Sequence, residues 1–344
     1  MAEPAQLTGA GEPDRSGSPA SRRRATILDV AAAAGVSRQT VTRAINDMPG
    51  ISAETRRRVL DAASALSYRP SRFGRGLVTG GDPQLGLVVS DLRNPYSPEL
   101  AAAIVRRAAA DGWSVSLVDI GLAGSADRLL HSLHAQVDVV VGYLGEWALG
   151  WESRFGATPL ILLDADAESE HAGVRLDPAA AIEDLAAHLV TVGTRRPVVL
   201  DASEPHATSS RGIAILDALE RRGLRPEVVH VAASSPEHAA AVAAQIIRRS
   251  ARPDALLAFN DLMAFGVLSA CRHAGLDVPG DIRVAGVDGL AIGTLVAPTL
   301  TTLAVDFDEV ARHTLELAAA LSDASPGADL QRVVSHRLVL RESA

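Results

Sequence analysis

The chain of 344 residues reads as an all-α head built on a helix-turn-helix, followed by a larger α/β body of parallel, doubly wound sheets. Three observations predict this. Residues 26–46 carry two short apolar stripes at helical spacing, separated by Gly35-Val36-Ser37. From Leu85 onward, short apolar runs alternate with helical segments. The charge divides along the same line: residues 1–80 hold 12 Arg against 7 Asp plus Glu, whereas the remaining 264 hold 21 Arg against 34. A chain this long exceeds one core, so a small domain joins one or two larger ones.

Residues 1–21 are polar and rich in Gly, Pro and Ser, which predicts a disordered tail without the apolar core of a signal peptide. The head spans 22–69. Thr26 can cap a first helix with Asp29 at N3, and Ile27, Val30, Ala31 and Ala34 form one stripe. Gly35 supplies a positive φ for the turn, and Val36 plugs the angle between the helices. Ser37 caps the second helix, whose inner face is Val41, Ala44 and Ile45. Its outward N-terminal face carries Arg38, Gln39 and Thr40, with Arg43 one turn later. Those are the side chains a recognition helix needs to reach base edges; a pair of packed helices with a solvated basic face is the alternative. Ser52 opens a third helix with Val59, Ala62, Ala63 and Leu66 on one face and Arg56, Arg57 and Arg58 near its start. The segment from Tyr68 to Leu77 has Pro70 near its start, is basic, and holds too much glycine for a core helix.

In the body, strands are predicted at 85–90, 113–120, 137–143, 159–164, 197–201, 227–232, 254–259 and 282–287. Helices are predicted at 98–110, 125–135, 178–192, 208–222, 236–249 and 260–274. Such alternation implies parallel sheets with helices on both faces, whose ligands bind beyond the strand C-termini.

The run Thr26-Ile27-Leu28-Asp29-Val30-Ala31, Ala34-Gly35-Val36-Ser37, Thr40-Val41-Thr42-Arg43, Ile45-Asn46, Ser52-Ala53-Glu54-Thr55-Arg56, Leu66-Ser67-Tyr68-Arg69-Pro70 resembles the lactose-repressor (LacI/GalR) family of transcription regulators. The resemblance implies a DNA-binding repressor controlled by a small-molecule effector, with a two-lobed, periplasmic-binding-protein-like effector domain. Arg38 and Gln39 then occupy the positions that chiefly set operator preference: Arg suits the O6/N7 edge of guanine, while Gln pairs with adenine or donates more loosely. Arg43 reaches a base or a phosphate; Ser37, Thr40 and Thr42 serve as caps or phosphate contacts. Residues 70–83 match a hinge helix and linker. There Ser71, Arg72 and Arg75 contact the backbone, and Leu77 is the apolar wedge that enters the minor groove. Gly74 stands where the family usually has a small helix-former, and Gly76 follows two later; each costs about 1 kcal/mol in a helix interior, predicting a hinge that forms only on a good site.

The same resemblance divides residues 84–344 into lobe one (84–176, completed by a helix at 306–322) and lobe two (177–303 and 323–341, completed by strands near 331–341), with the effector between them. It assigns Asp91, Tyr96, Arg211, Asn260, Asp261 and Asp288 to effector binding; Asn260 and Asp261 can equally cap a helix, and Tyr96 can pack on its lobe. Ser97 replaces a usual second aromatic, Asp177-Pro178 a usual Asp-Asn, and Thr194 a usual His. Residues 231–236 hold no aromatic, where many sugar-binding members of the family place a stacking platform. Trp147 and Trp151 can supply one, or be buried together on a helix.

Cys271 is the single cysteine, which leaves no disulfide framework and no thiolate zinc site. His131 and His134 lie at i, i+3 without a third ligand, so no metal is expected. No glycine-rich phosphate loop, dinucleotide fingerprint or nucleophile elbow occurs, so neither an enzyme nor a cofactor is expected. No apolar run approaches a membrane span, and a cytoplasmic protein is expected. The partners predicted are a near-palindromic double-stranded operator, the effector and a second copy in a two-fold dimer. With only three residues after Arg341, a tetramer-forming heptad tail is not expected. The alternative reading is a small-molecule binding protein with a vestigial head.

Overall fold

The computed structural model describes residues 26–45, 48–66, 82–121, 126–156, 158–164, 169–203, 207–322 and 329–344. The chain divides into two compact units between Pro70 and Ser71. The tail, Arg22–Arg24 and the hinge residues Ser71, Arg72, Arg75 and Leu77 lie outside the described residues.

The head is three helices, α1 (Ile27–Ala34), α2 (Arg38–Ile45) and α3 (Ala53–Ala65). The capping box at Thr26 is formed: its hydroxyl accepts the Asp29 N–H at 3.3 Å, and the Asp29 carboxylate accepts the Thr26 N–H at 2.7 Å. Gly35 closes α1 at φ 63°, a conformation that penalises any Cβ. Val30, Ala34, Val41, Ala44, Val59 and Ala63 are buried together, with Val36 packed against them. Arg58 Nε donates to the Ala34 carbonyl at 3.0 Å, satisfying one of the open carbonyls at the end of α1.

The body holds two six-stranded sheets. In chain order the strands are β1 (Gln84–Val89), β2 (Ser114–Asp119), β3 (Val139–Gly142), β4 (Leu160–Leu163), β5 (Ala172–Asp177), β6 (Pro197–Asp201), β7 (Glu227–His230), β8 (Ala255–Ala258), β9 (Arg283–Asp288), β10 (Thr301–Ala304), β11 (Gln331–Ser335) and β12 (Arg337–Val339). The helices are α4 (Tyr96–Ala110), α5 (Ala126–His134), α6 (Trp151–Phe155), α7 (Ala179–Thr191), α8 (Ser210–Arg221), α9 (Pro236–Ile246), α10 (Asp261–His273) and α11 (Phe307–Ser322). Lobe one is the sheet β11-β5-β4-β3-β1-β2, parallel throughout. Lobe two is β12-β10-β9-β8-β6-β7, parallel except for the antiparallel β12.

Strand alternation distributes side chains to the two faces of each sheet. Leu85, Leu87 and Val89 face the helices α4 and α11, whereas Val88 faces Leu130, Leu133, Trp151 and Phe155 of α5 and α6. Gly86 lies under α5, where a Cβ would stand 3.0 Å from Leu133. In lobe two, Val198 and Leu200 pack on α9 and α10, and Val199 on α7 and α8.

The chain crosses between lobes after β5, after β10 and between β11 and β12. This corrects one expectation. Residues 331–335 belong to lobe one, not lobe two, because β11 pairs in parallel with β5 (Ser335 opposite Asp177), and only β12 joins the second sheet. The strands β5 and β10, which carry no long apolar run, are additions to the strands expected. The two tryptophans do not share a helix. Trp151 is buried in α6 and donates to the Thr158 carbonyl at 2.8 Å, while Trp147 sits in the preceding 3-10 turn under Arg154.

Candidate nucleic-acid interface and ligand cleft

On the head, the outer N-terminal face of α2 presents Arg38 and Gln39 exposed to solvent. The Ser37 hydroxyl accepts the Thr40 N–H at 3.1 Å and pairs with the Thr40 hydroxyl at 2.9 Å. Both are therefore occupied in the N-cap. Thr42 donates to the Arg38 carbonyl at 3.1 Å. Arg43 is exposed, with its guanidinium against Gly50. Arg56 donates to the Met48 carbonyl at 2.9 Å, so of the arginine triplet on α3 two members brace the head and Arg57 stands exposed. Two side chains with base-reading chemistry at the N-terminal end of a second helix are what a major-groove reader requires.

In the body, groups beyond the strand C-termini of the two sheets come within electrostatic reach of one another between the lobes, Asp288 of lobe two acting on Tyr96 and Tyr143 of lobe one. All six expected ligand residues stand at such ends, in the turn that follows, or in the first turn of the next helix. Tyr96 opens α4 just beyond β1, and its hydroxyl is hydrogen-bonded to that of Tyr143. Tyr143 follows β3 directly. The Phe307 ring meets Tyr96 edge-on, with centroids 5.1 Å apart. Burial holds both phenols above their ordinary range, reinforced by the nearby Asp164 and Asp288 carboxyls. Asp288, which ends β9, is buried with a backbone φ of 128°. Burial pushes its carboxyl well above the usual carboxylate range, against the pull of the Arg211 guanidinium. Arg211 lies over the Phe259 ring at 4.5 Å and donates to the Phe259 carbonyl at 2.8 Å.

Asn260 and Asp261 are committed inside lobe two. The Asn260 side chain caps α10 by accepting the Met263 N–H at 2.9 Å. Asp261, fully buried, accepts from Gly289 N at 2.9 Å, Leu290 N at 2.8 Å and the Thr302 hydroxyl at 2.6 Å. It thereby shapes the loop that carries Asp288. Asp91 is ion-paired with Arg93 at 3.0 Å, and this hydrogen bond holds its carboxyl below the ordinary range. Glu99 of α4 reaches across the cleft to accept the Ala291 N–H at 3.1 Å.

Tyr143, Asp164, Glu99 and Phe307 escaped the sequence reading. For Tyr143 and Asp164 a signal existed, since each directly follows a strand, where ligands of open parallel sheets bind. His131 and His134 instead pack their rings on Phe155. No group of three metal-ligating side chains occurs among the described residues.

Comparison with known proteins accords with both units. Residues 26–71 match the model of bacterial regulatory proteins of the lacI family, and residues 186–344 that of a periplasmic binding protein-like domain. A LacI family transcriptional regulator from Arthrobacter sp. FB24, solved in complex with lactose, is 35% identical over 76% of this chain and 99% of that one, with a TM-score of 0.71. The transcriptional repressor PurR of Mannheimia succiniciproducens is 30% identical over 81% of this chain and 86% of its own length. The lac repressor dimer bound to operator covers 93% of this chain and 98% of that one at 26% identity, with a TM-score of 0.66. The basic three-helix head, the doubly wound two-lobed body and these matches together establish that the chain is a transcription regulator of the LacI family.

Proposed function

We propose that the protein is a repressor whose operator affinity is set by an uncharged, sugar-like effector held between the lobes. The observation that carries this is Asp288. It is a buried carboxyl on strained backbone at a strand end, coupled to Arg211 within its lobe and to Tyr96 and Tyr143 across the cleft. Non-glycine residues held at positive φ concentrate at ligand sites. A carboxyl, a guanidinium and two phenols suit the paired donors and acceptors of sugar hydroxyls. The lactose complex of the Arthrobacter relative supports the same class.

Asp288, Arg211 and Tyr96 are the direct contacts in this reading; Asn260 and Asp261 support them, and Asp91 stands at the rim. Arg38 and Gln39 read bases, Arg43 contacts a base or phosphate, and Ser37 and Thr40 act mainly as caps. Ser71, Arg72, Arg75 and Leu77 supply the hinge contacts. The protein acts in the cytoplasm as a homodimer on a near-palindromic operator, without enzymatic activity or cofactor.

The test begins with selection of bound duplexes from a random pool at near-physiological salt, followed by lactose titration of the selected complex. An enriched palindrome whose binding responds to lactose supports the reading. Sequence-blind binding that fades with salt would sink the roles of Arg38 and Gln39. A selected operator indifferent to lactose and to related neutral sugars would sink the effector class.

A further inference from the structure

Four buried side-chain polar atoms of the two-lobed unit lack a hydrogen bond among the described residues: His188 Nε2, Thr194 Oγ1, Thr314 Oγ1 and His336 Nδ1. His188 and Thr314 lie within helices α7 and α11, and Thr194 precedes β6 at the opposite end of its sheet. Of the four, His336 alone stands on the cleft side. The register places it there: Ser335 pairs with Asp177 at the C-terminal end of β5, and Arg337 pairs with Ala304 at the C-terminal end of β10. His336 is thus the single residue between the last strand of lobe one and the last of lobe two. Its N–H donates to the Asp177 carbonyl at 2.8 Å, tying the third crossover to the first. The residue is only 7% exposed.

We propose that His336 is a further effector-binding residue, its imidazole Nδ1 exchanging a hydrogen bond with a hydroxyl of the sugar at the hinge wall of the cleft. The inference rests on the effector reading above. A buried polar atom without a partner costs free energy, and a ligand that supplies the partner recovers it on binding. The groups whose charge reaches the ring are Arg211 of α8 and Asp177 of β5. Burial first, and then the Arg211 charge, favour the neutral imidazole, opposed by the Asp177 backbone carbonyl and side-chain charge. A neutral imidazole donates from one nitrogen and accepts at the other. A hydroxyl satisfies either tautomer, whereas a carboxylate or phosphate would require the donor form. Contact at this point also ties the effector to the segment that must bend when the lobes move.

Lactose titration calorimetry on the full chain tests this with His336→Leu, His336→Asn and Asp288→Asn. Asn places an amide near the position of Nδ1, and Leu fills the space without a polar atom. At pH 8, Leu is expected to weaken lactose binding about 10-fold, the worth of one hydrogen bond. Asn should stay within about 3-fold of wild type, since its amide restores a partner. Wild-type affinity should fall as the solution is acidified and the ring takes up a proton, and the Asn variant should show a flatter profile. If Asp288→Asn loses lactose while His336→Leu retains wild-type affinity, this inference fails and the effector reading stands. If wild type binds neither lactose nor other neutral disaccharides, both fail. Equal weakening by Leu and Asn, with no pH dependence in wild type, would mark His336 as structural only and overturn the proposal.

Discussion

Lobe one brings a pair of hydrogen-bonded phenols to the cleft beside its carboxylates, whereas in lobe two Asp261 and Arg211 are tied by hydrogen bonds to the backbone of their own lobe. Tyr96 and Tyr143 bond to each other, and Tyr96 rests on Phe307. On the opposite side, Asp261 holds the backbone behind Asp288, and Asn260 caps the helix behind Asp261. The difference follows from what each group costs to bury. A phenol gains from burial and needs one partner, while a carboxyl in a low-dielectric wall must be surrounded by donors or become protonated. Lobe two therefore commits side chains to support that lobe one does not need, and mutations should act differently on the two sides.

The largest effect expected is on stability, from Asp261→Ala. Removing the carboxylate strands the Leu290 N–H and the Thr302 hydroxyl in a buried site and should cost about 3 kcal/mol. That corresponds to a melting temperature lower by roughly 10 °C in thermal unfolding. A drop of roughly 1 °C would mean that the lobe-two network is not rigid support. Asp288→Gly should separate binding from folding. Loss of the carboxyl should weaken lactose about 100-fold in calorimetry, while relief of the positive-φ strain should raise stability by about 1 kcal/mol. A variant that both binds poorly and melts lower would argue against stored strain.

On the lobe-one side, Tyr143→Phe should weaken lactose by about 5-fold and shift unfolding by less than about 1 kcal/mol, since only one neutral hydrogen bond is lost. A larger loss of stability would make the phenol pair structural and erase the contrast between the lobes. The smallest effect is a pH dependence. The folded state holds His336 below its ordinary value of 6.5, chiefly by burial. Its contribution to stability is then complete above about pH 6.5 and is lost as the pH falls through the lowered folded value. Melting curves taken from above that pH to well below it should show this decline in wild type and a shallower one in His336→Asn.

Much of this was legible in the chain itself. Thr26, Asp29 and Gly35 announce the first helix and its end because capping and positive φ are local requirements. The apolar runs at β1, β3, β6, β8 and β9 declare buried strands, since such runs fit strands covered on both faces. Tyr96, Arg211 and Asp288 were singled out by the family resemblance as effector-site candidates, and the fold brings Asp288 within electrostatic reach of the other two. The short strands β5 and β10 were not legible, because neither carries an apolar run long enough to stand out from its surroundings.

The sequence by itself determined the helical head, the alternation of strand and helix, and the separation of basic from acidic charge. All of these depend on neighbours within a few turns. Only the tertiary structure decided that β11 and β12 part into different sheets. It also decided that Asp261 holds the backbone beyond β9, that Tyr143 meets Tyr96, and that His336 comes to rest beside Asp177. Each of these joins residues far apart in the chain, or a strand to one of two equally suitable edges. No local propensity distinguishes such partners; the packing of whole sheets does.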